Sequence, residues 1–247
     1  MTALRRLTVM EAKLFLRDPA AVVMALAFPM LLIVVLGGVM PGFRTPVPEL
    51  TGLRPIDLYL PVVVALAVAT VAVNSLPTTV AGYRERGVLR RMATTPVRPE
   101  KLLGAQLLVA TAATAFAVAL AVAAAAVAFR VPLPERPLTF LGVFLLGSAA
   151  TFAVGLLIAA LVPTGRAANA ISMLVYFPML FFAGVWTPGP MMPETIRRVS
   201  DFTPLGALSQ AMQASWAGDP VRPLHLLVMA GYLVVVGMLA ARWFRWR

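Results

Sequence analysis

Side chains that could perform acid–base, nucleophilic or metal chemistry are scarce in this sequence. Its 247 residues include 10 Asp and Glu, one histidine and no cysteine. Without cysteine there are no disulfides or thiolate metal sites, and the lone His225 is too few for a histidine-built metal centre. We therefore predict no catalytic residues, no metal site and no cofactor bound by this chain.

The range 84–96 is the most distinctive polar segment, because basic and apolar residues alternate along it. Arg86 and Arg90 are four residues apart and share one face of a helix. Another face carries Val88, Leu89 and Met92. Pro96 ends the helix, since proline disfavours helical geometry in the residue before it. The pattern is typical of a short amphipathic helix that docks in a partner's groove. On periodicity alone, a basic loop that only sets topology is the favoured interpretation.

Polar and aromatic residues inside long apolar runs form a second candidate set. We predict a translocation pathway lined by Asn74, Thr78 and Asn169, with Phe177 and Phe181 facing a lipophilic substrate. The alternative is structural, because polar side chains in such runs commonly bond to backbone or neighbouring helices. For the aromatic rings, contact with lipid or with the core of a bundle is favoured over contact with substrate.

The elements that position these residues are predicted to be membrane-spanning helices. The chain is 60% hydrophobic and 13% charged, with mean hydropathy +0.88, whereas soluble domains are about 25% charged. About 20 apolar residues are needed to cross a membrane as a helix. Six runs satisfy this length: 20–40, 58–83, 102–129, 137–165, 167–193 and 223–241. We therefore predict an all-α polytopic membrane protein whose single transmembrane domain occupies residues 1–247.

The distribution of basic residues predicts the orientation of these spans. Of the 21 Lys and Arg residues, 14 fall on the connections that share a side with both termini. Because basic loops remain in the cytoplasm, both termini are predicted to be cytoplasmic. The net charge of +11 is then assigned to contact with an anionic membrane rather than with nucleic acid. The arginine-rich, alanine-rich composition favours a bacterial cell membrane.

Two connections outside the spans carry amphipathic patterns. Residues 1–18 place leucines at helical spacing among basic residues, which predicts a helix lying in the inner interface, or else a charged flank with no further role. After the fifth run, apolar residues recur at helical spacing: Leu205, Leu208, Met212 and Trp216. This stripe predicts an extracellular re-entrant hairpin between spans five and six, with a loop on the surface as the alternative.

Several of these segments resemble the ABC transporter type-2 permease family. The string Glu-Arg-Gly-Val-Leu-Arg-Arg-Met-Ala-Thr-Thr-Pro at 85–96, followed by Leu-Leu-Gly at 102–104, is similar to that family's first cytoplasmic loop. Arg-Asp-Pro at 17–19 is similar to the family's N-terminal pattern. The ranges 178–188 and 203–205 are similar to its fifth span and extracellular hairpin. The likeness runs through the chain in order and with the same number of spans.

The resemblance implies a specific assembly and mechanism. Residues 1–18 would form an elbow helix, and the loop after span two would be the coupling helix that docks on an ATPase subunit. The implied coupling residues are Glu85, Arg86, Gly87, Val88, Leu89, Arg90, Arg91, Met92, Thr94 and Pro96. Leu89 and Met92 would be apolar plugs, with arginines making ionic contacts. Two ATPase copies, carrying ATP and Mg, and a second permease subunit would complete an exporter of drugs, antibiotics, lipids or glycans.

Residue types and motifs that the sequence lacks indicate how transport would be powered. None of the six predicted spans carries Asp, Glu, Lys or Arg, which disfavours coupling to an ion gradient. The chain has no Gly-x-x-x-x-Gly-Lys-Ser/Thr loop for ATP phosphates, so a separate ATPase fits better. An ATP-independent transporter and a membrane scaffold or insertion protein remain alternatives. A lipid-modifying enzyme is disfavoured because the outer acids show no paired spacing.

Overall fold

Six long apolar helices form the body of the protein. The computed structural model describes residues 3–48, 52–93, 100–188 and 191–244, with only the backbone of residues 90, 92 and 93. Spans one to six are Pro19–Val39, Pro55–Glu85, Glu100–Phe129, Pro137–Leu161, Gly165–Ala183 and Pro223–Trp243. Throughout the described ranges the regular elements are helical. The predicted all-α architecture with six membrane-spanning helices is therefore confirmed.

Among the described residues, four shorter α-helices flank these spans. They are the N-terminal helix Ala3–Arg17, the linking helix Val88–Ala93 and two helices between spans five and six, Glu194–Asp201 and Pro204–Trp216. Local sequence sets the boundary between the first of these and span one. The Asp18 carboxylate accepts a hydrogen bond from the Ala21 amide at 3.0 Å, and Pro19 occupies the first helical position.

Span two is the centre of the bundle. In its most apolar stretch 89% of residues are buried, compared with 17 to 28% in spans one, three, five and six. It packs against spans one, three, four and five. A helix so enclosed needs apolar residues on every face, and 62–69 supplies eight consecutive buried aliphatic residues.

Small residues allow span four to approach its neighbours closely. A Cβ added to Gly155 would overlap the backbone carbonyl of Ala72 on span two. A Cβ added to Gly147 would overlap the side chain of Leu208 in the helix Pro204–Trp216. Thr151 lies between them, fully buried, and donates to the Gly147 carbonyl at 2.7 Å. The small-residue face of this span thus serves close helix packing.

Spans one, two and six each contain a turn of π-helix. These turns are Val23–Ala27, Thr70–Ser75 and Tyr232–Val236. The turn in span two begins at Thr70, whose hydroxyl lies 2.8 Å from the Tyr176 hydroxyl on span five. Because π turns widen the helix and weaken its regular bonding, they often mark places where a helix bends or functions. Asn74 lies in the turn of span two.

The apolar stripe after span five faces the interior of the bundle. Leu205, Leu208 and Met212 are fully buried and Trp216 is nearly so. Their helix packs against spans two, four, five and six. Span five ends at Ala183, ten residues before the predicted limit, because Gly184 adopts φ +88° and stops the helix. The depth of this hairpin in a membrane stays a prediction.

The two ends of the bundle are held by different contacts. At the end opposite the N-terminal helix, Arg54 pairs with Asp57 at 2.7 Å and donates to the Phe129 carbonyl at 2.9 Å. The Trp216 indole donates to the Pro132 carbonyl at 3.0 Å. The other end, which we call the basic end, holds the N-terminal helix, the linking helix Val88–Ala93 and the turn between spans four and five.

Candidate functional site

A sharp turn connects span two to the linking helix. Span two ends at Glu85, and Gly87 then adopts φ +68°, a left-handed conformation that glycine reaches without a Cβ clash. The chain turns there and starts the linking helix at Val88, with the Arg91 amide bonding to the Gly87 carbonyl at 3.1 Å. Gly87 is therefore required by the backbone of this turn.

The structure distributes the predicted coupling residues between interior and surface. Leu89 is 1% exposed, so its side chain packs against other residues of this chain. Its role as an apolar plug in an ATPase subunit stays a prediction. Glu85, Arg86 and Arg91 are exposed, whereas Gly87 and Val88 are half-buried. The side chains of Arg90 and Met92, and the whole of Thr94 and Pro96, lie outside the described residues.

Arg84, at the end of span two, holds the end of span four. Its Nη1 donates to the Ala159 carbonyl at 2.8 Å and to the Val162 carbonyl at 2.7 Å. These oxygens belong to the last turn of span four, where carbonyls lack helical partners and the helix dipole is negative. The guanidinium also lies 5.2 Å from the ring centre of Phe244, just after span six. One side chain therefore joins the ends of three spans.

Glu85 makes the complementary contact with span five. Its Oε2 accepts a hydrogen bond from the Gly165 amide at 3.0 Å. Gly165 is the first residue of span five, where amides lack partners and the dipole is positive. Arg84 and Glu85 thus bind the two adjoining helix ends of one short turn. We call these two residues and the ends of spans four and five the span junction.

The predicted pathway residues lie on spans two and five. Asn74 and Thr78 are half-buried and one turn apart, and the Thr78 hydroxyl donates to the Asn74 carbonyl at 3.0 Å. Asn169 is exposed on span five, as are Phe177 and Phe181, at 54% and 39%. The latter half of span two packs along span five. The two groups consequently belong to neighbouring helices, with the span-five residues on a face open in this chain.

Comparison with known proteins decides the family. The sequence model described as ABC-2 type transporter matches residues 2–216. The chain belongs to the ABC-2 type transporter family. No curated protein matches the sequence closely enough to count as a relative. The family predicted from the loop and hairpin motifs is confirmed, so the chain is a multi-pass membrane component of an ABC transporter that works with a separate ATPase subunit.

A second polar pair of this ABC-2 permease lies at the opposite end. His225, at the start of span six, is 3% exposed, and its Nε2 lies 2.9 Å from the Asp201 carboxylate. The pair joins span six to the helix Glu194–Asp201. Within the described ranges no group of three His, Asp or Glu residues could hold a metal ion. The pair therefore holds two helices together at the end of the hairpin.

Sequence reasoning missed the junction role of Arg84. The available signal was an adjacent basic and acidic residue at the end of a span, facing a connection of only a few residues between spans four and five. A residue pair of opposite charge can bind both ends of such a turn. The Asp201–His225 pair had no comparable signal, because 24 residues separate its members.

Proposed function

We propose that this ABC-2 permease is half of the membrane pathway of an ATP-driven exporter of lipophilic or amphiphilic molecules. Two permease subunits, as a homodimer or heterodimer, would pair with two ATPase copies that carry ATP and Mg. The observation that carries this proposal is the span junction, where Arg84 and Glu85 bind the ends of spans four and five. A force on the linking helix reaches these spans through hydrogen bonds rather than through a flexible loop.

The proposed power stroke begins at the linking helix. Closure of the ATPase subunits would press on Val88–Ala93 from the cytoplasm, and buried Leu89 would pass that displacement to the chain. The span junction would move spans four and five with span two. The π turn Thr70–Ser75 supplies a point at which span two can bend.

The exposed face of span five supports a paired assembly. Phe177 and Phe181 lie on this face with Leu174, which is 75% exposed, and Asn169 is exposed near the start of the same helix. A polar amide gains no hydrogen bond from lipid tails. We propose that a second permease subunit covers this face and that the pathway runs between the two subunits, past Asn74 and Thr78 of span two.

Labelling of a single cysteine tests the docking surface. The chain has no native cysteine, so Arg91→Cys introduces a unique thiol on the exposed side of the linking helix. Binding of the ATPase subunit should slow maleimide labelling of this thiol several-fold, because a docked interface excludes the reagent. Leu133→Cys, at a position 64% exposed at the opposite end, is the matched control and should label equally in both states. Equal labelling of both thiols with and without ATPase would contradict docking at the linking helix.

Reconstitution tests the whole proposal. The tagged permease would be co-purified with the ABC ATPase encoded beside its gene, and vanadate-sensitive ATP hydrolysis and substrate export would be measured in lipid vesicles. We expect a stable complex whose hydrolysis and export depend on each other. A permease that binds no ATPase yet transports would instead be an ATP-independent transporter. Binding neither ATPase nor substrate would favour a scaffold or insertion protein.

A further inference from the structure

A cavity lies at the basic end of the bundle, beside the span junction but separate from it. The N-terminal helix and spans one, two and three line this half-open cavity, which has a volume of about 530 Å³. Sites for small organic molecules typically occupy about 300–1,000 Å³ and combine apolar walls with a few polar groups. The apolar walls here include Leu14 and Phe15 of the N-terminal helix, Val71 and Leu76 of span two and Val109 of span three.

A buried carboxylate lines this cavity. Glu11 is 8% exposed, although it lies on a helix whose basic residues are exposed. The Tyr83 hydroxyl donates to both of its oxygens, at 3.0 and 3.2 Å, and the Gln106 amide nitrogen lies 3.4 Å from Oε2. Each carboxylate oxygen can accept two hydrogen bonds. Glu11 therefore retains capacity for a further donor.

Gln106 provides an independent indication of a missing donor. Its side chain is 5% exposed and lines the cavity, yet its Oε1 atom has no hydrogen-bond partner. A buried acceptor left unpaired is unfavourable, and native structures contain few of them. The unpaired Oε1 and the Glu11 carboxylate belong to side chains that already touch each other. Both groups can accept hydrogen bonds from a ligand that carries N–H or O–H groups.

The charges around the cavity favour a cation. Among the described residues that line the cavity, Glu11 and Asp18 carry negative charge and Arg86 is the one positive group. The Arg86 guanidinium already donates to the Gly82 carbonyl at 3.1 Å and lies 5.5 Å from the Tyr83 ring centre. Asp18 caps span one through the Ala21 amide. The lining residues therefore carry one net negative charge when both acids are ionised.

We propose that this cavity binds an organic ammonium ion on an apolar body, with the ammonium donating to the Glu11 carboxylate and to Oε1 of Gln106. The apolar walls would hold the body of the molecule. A ligand with a charged end and an apolar body also suits a cavity beside the N-terminal helix, which is itself amphipathic. Two sources share this chemistry: a cationic amphiphile and the headgroup of phosphatidylethanolamine. That the bound molecule is transport cargo rests on the proposed function, whereas the binding does not.

Burial raises the pKa of Glu11, although its hydrogen bonds to Tyr83 and Gln106 oppose the shift. A raised folded-state pKa means that the protonated acid is favoured in the fold. The stability that protonated Glu11 contributes is complete below the pKa of this acid in the unfolded chain. It is lost as the pH rises through the pKa of Glu11 in the folded protein. Ammonium binding has the opposite dependence, because it needs ionised Glu11, and should weaken as the pH falls through that raised pKa.

Dansylcadaverine, a fluorescent primary amine, is a suitable probe for permease in nanodiscs of phosphatidylcholine, a lipid whose headgroup has no net charge and no N–H donor, so that the bilayer itself does not attract the cation. Its fluorescence should show saturable binding, while the neutral analogue dansyl pentylamide should bind poorly. Glu11→Gln should weaken dansylcadaverine binding about tenfold, as expected for loss of a hydrogen bond to a charged group. Glu100→Gln is the matched control, since Glu100 is an exposed acid at the same end and outside the cavity, and should bind the probe as the parent protein does.

Stability separates a lost ligand site from a damaged fold. Because ionised Glu11 is desolvated, Glu11→Gln should unfold at an equal or higher temperature than the parent at pH 7 while binding less. If Glu11→Gln fails to fold, Gln106→Leu is the second test of the site. This variant should weaken dansylcadaverine binding several-fold without changing binding of the neutral analogue. Equal binding of the two probes by the parent protein, or unchanged dansylcadaverine binding in folded Gln106→Leu and Glu11→Gln proteins, would overturn the inference.

Phosphatidylethanolamine in the nanodiscs identifies the source of the ammonium. If phosphatidylethanolamine competes with dansylcadaverine, the cavity binds a lipid headgroup. If it does not compete, the cavity binds a free cationic amphiphile. Probe binding without ATP-dependent transport in vesicles would refute the proposed function and leave this site intact. ATP-dependent export by a permease that binds no ammonium probe would refute this site alone.

Discussion

Replacing Glu85 by alanine is expected to lower ATP-driven export about fivefold while the ATPase subunit still binds. The Glu85 carboxylate accepts a hydrogen bond from the Gly165 amide at the start of span five. A charged acceptor at a helix N-terminus is worth about 1 kcal/mol at an exposed position, and that energy corresponds to about fivefold in an equilibrium. Without the contact, movement of the linking helix no longer draws span five with it. Export and ATP hydrolysis would be measured together in vesicles that contain the assembled complex.

Two companion variants give this prediction its specificity. Glu85→Gln keeps an oxygen that can accept from Gly165 and should retain most of the export activity. Glu100→Ala removes an exposed acid from the same end, at the start of span three, and should export normally. If Glu85→Ala exports like Glu100→Ala, or if it no longer binds the ATPase, the span junction does not transmit force as proposed.

Replacing Gly155 by valine is expected to prevent normal folding. Even a single added carbon would overlap the Ala72 carbonyl, a backbone atom of the central span that cannot rotate away. Overpacking a dense interior commonly costs about 1–3 kcal/mol, and obstruction by backbone places this site at or above about 3 kcal/mol. The yield of monodisperse protein after detergent extraction and its unfolding temperature should both fall sharply.

Gly142→Val is the control for this effect. Gly142 lies on the same span, is exposed, and has no neighbouring atom within 4 Å of an added Cβ. The same substitution there changes helix propensity but meets no obstruction, and the protein should extract and unfold like the parent. Similar losses at both positions would show that valine disturbs span four itself rather than its packing on span two.

The burial of Leu89 changes how coupling should be probed by mutation. Leu89→Asp would place a carboxylate at a position that is 1% exposed, and an unpaired buried charge destabilises a fold severely. Loss of transport in that variant would combine misfolding with uncoupling. Substitutions at exposed Arg91, or at Glu85, separate docking from transmission because neither side chain is part of the core.

The membrane architecture was predictable from local sequence. A helix must satisfy its own backbone polar groups in lipid, so each long uncharged run has one available structure. The six spans and the family could therefore be inferred from runs and motifs that involve nearby residues. The turn at Gly87, whose left-handed backbone separates span two from the linking helix, was not among these predictions, because the pattern in 84–96 was interpreted as one helix.

The partners of individual side chains were decided by tertiary structure. Whether Leu89 faces a partner or the interior depends on helices distant in the chain, and periodicity alone defines only that Val88, Leu89 and Met92 share a side. From the sequence, Glu11 is an ordinary surface acid in a basic amphipathic helix. In the folded chain it is buried, and Gln106, which is 95 residues away, packs beside it. Likewise Glu85 meets Gly165 across 80 residues.

The difference between the features that local sequence determines and those that tertiary structure decides has a physical cause. Hydrophobicity and backbone hydrogen bonding act over one turn or one span, so the sequence by itself determined the number of membrane-spanning helices and their approximate positions. Close packing acts between surfaces that come together only when all spans assemble. Tertiary structure alone therefore decided that Arg84 and Glu85 bind the ends of two spans, that Gly155 admits the carbonyl of Ala72, and that a buried acid lines the cavity beneath the N-terminal helix.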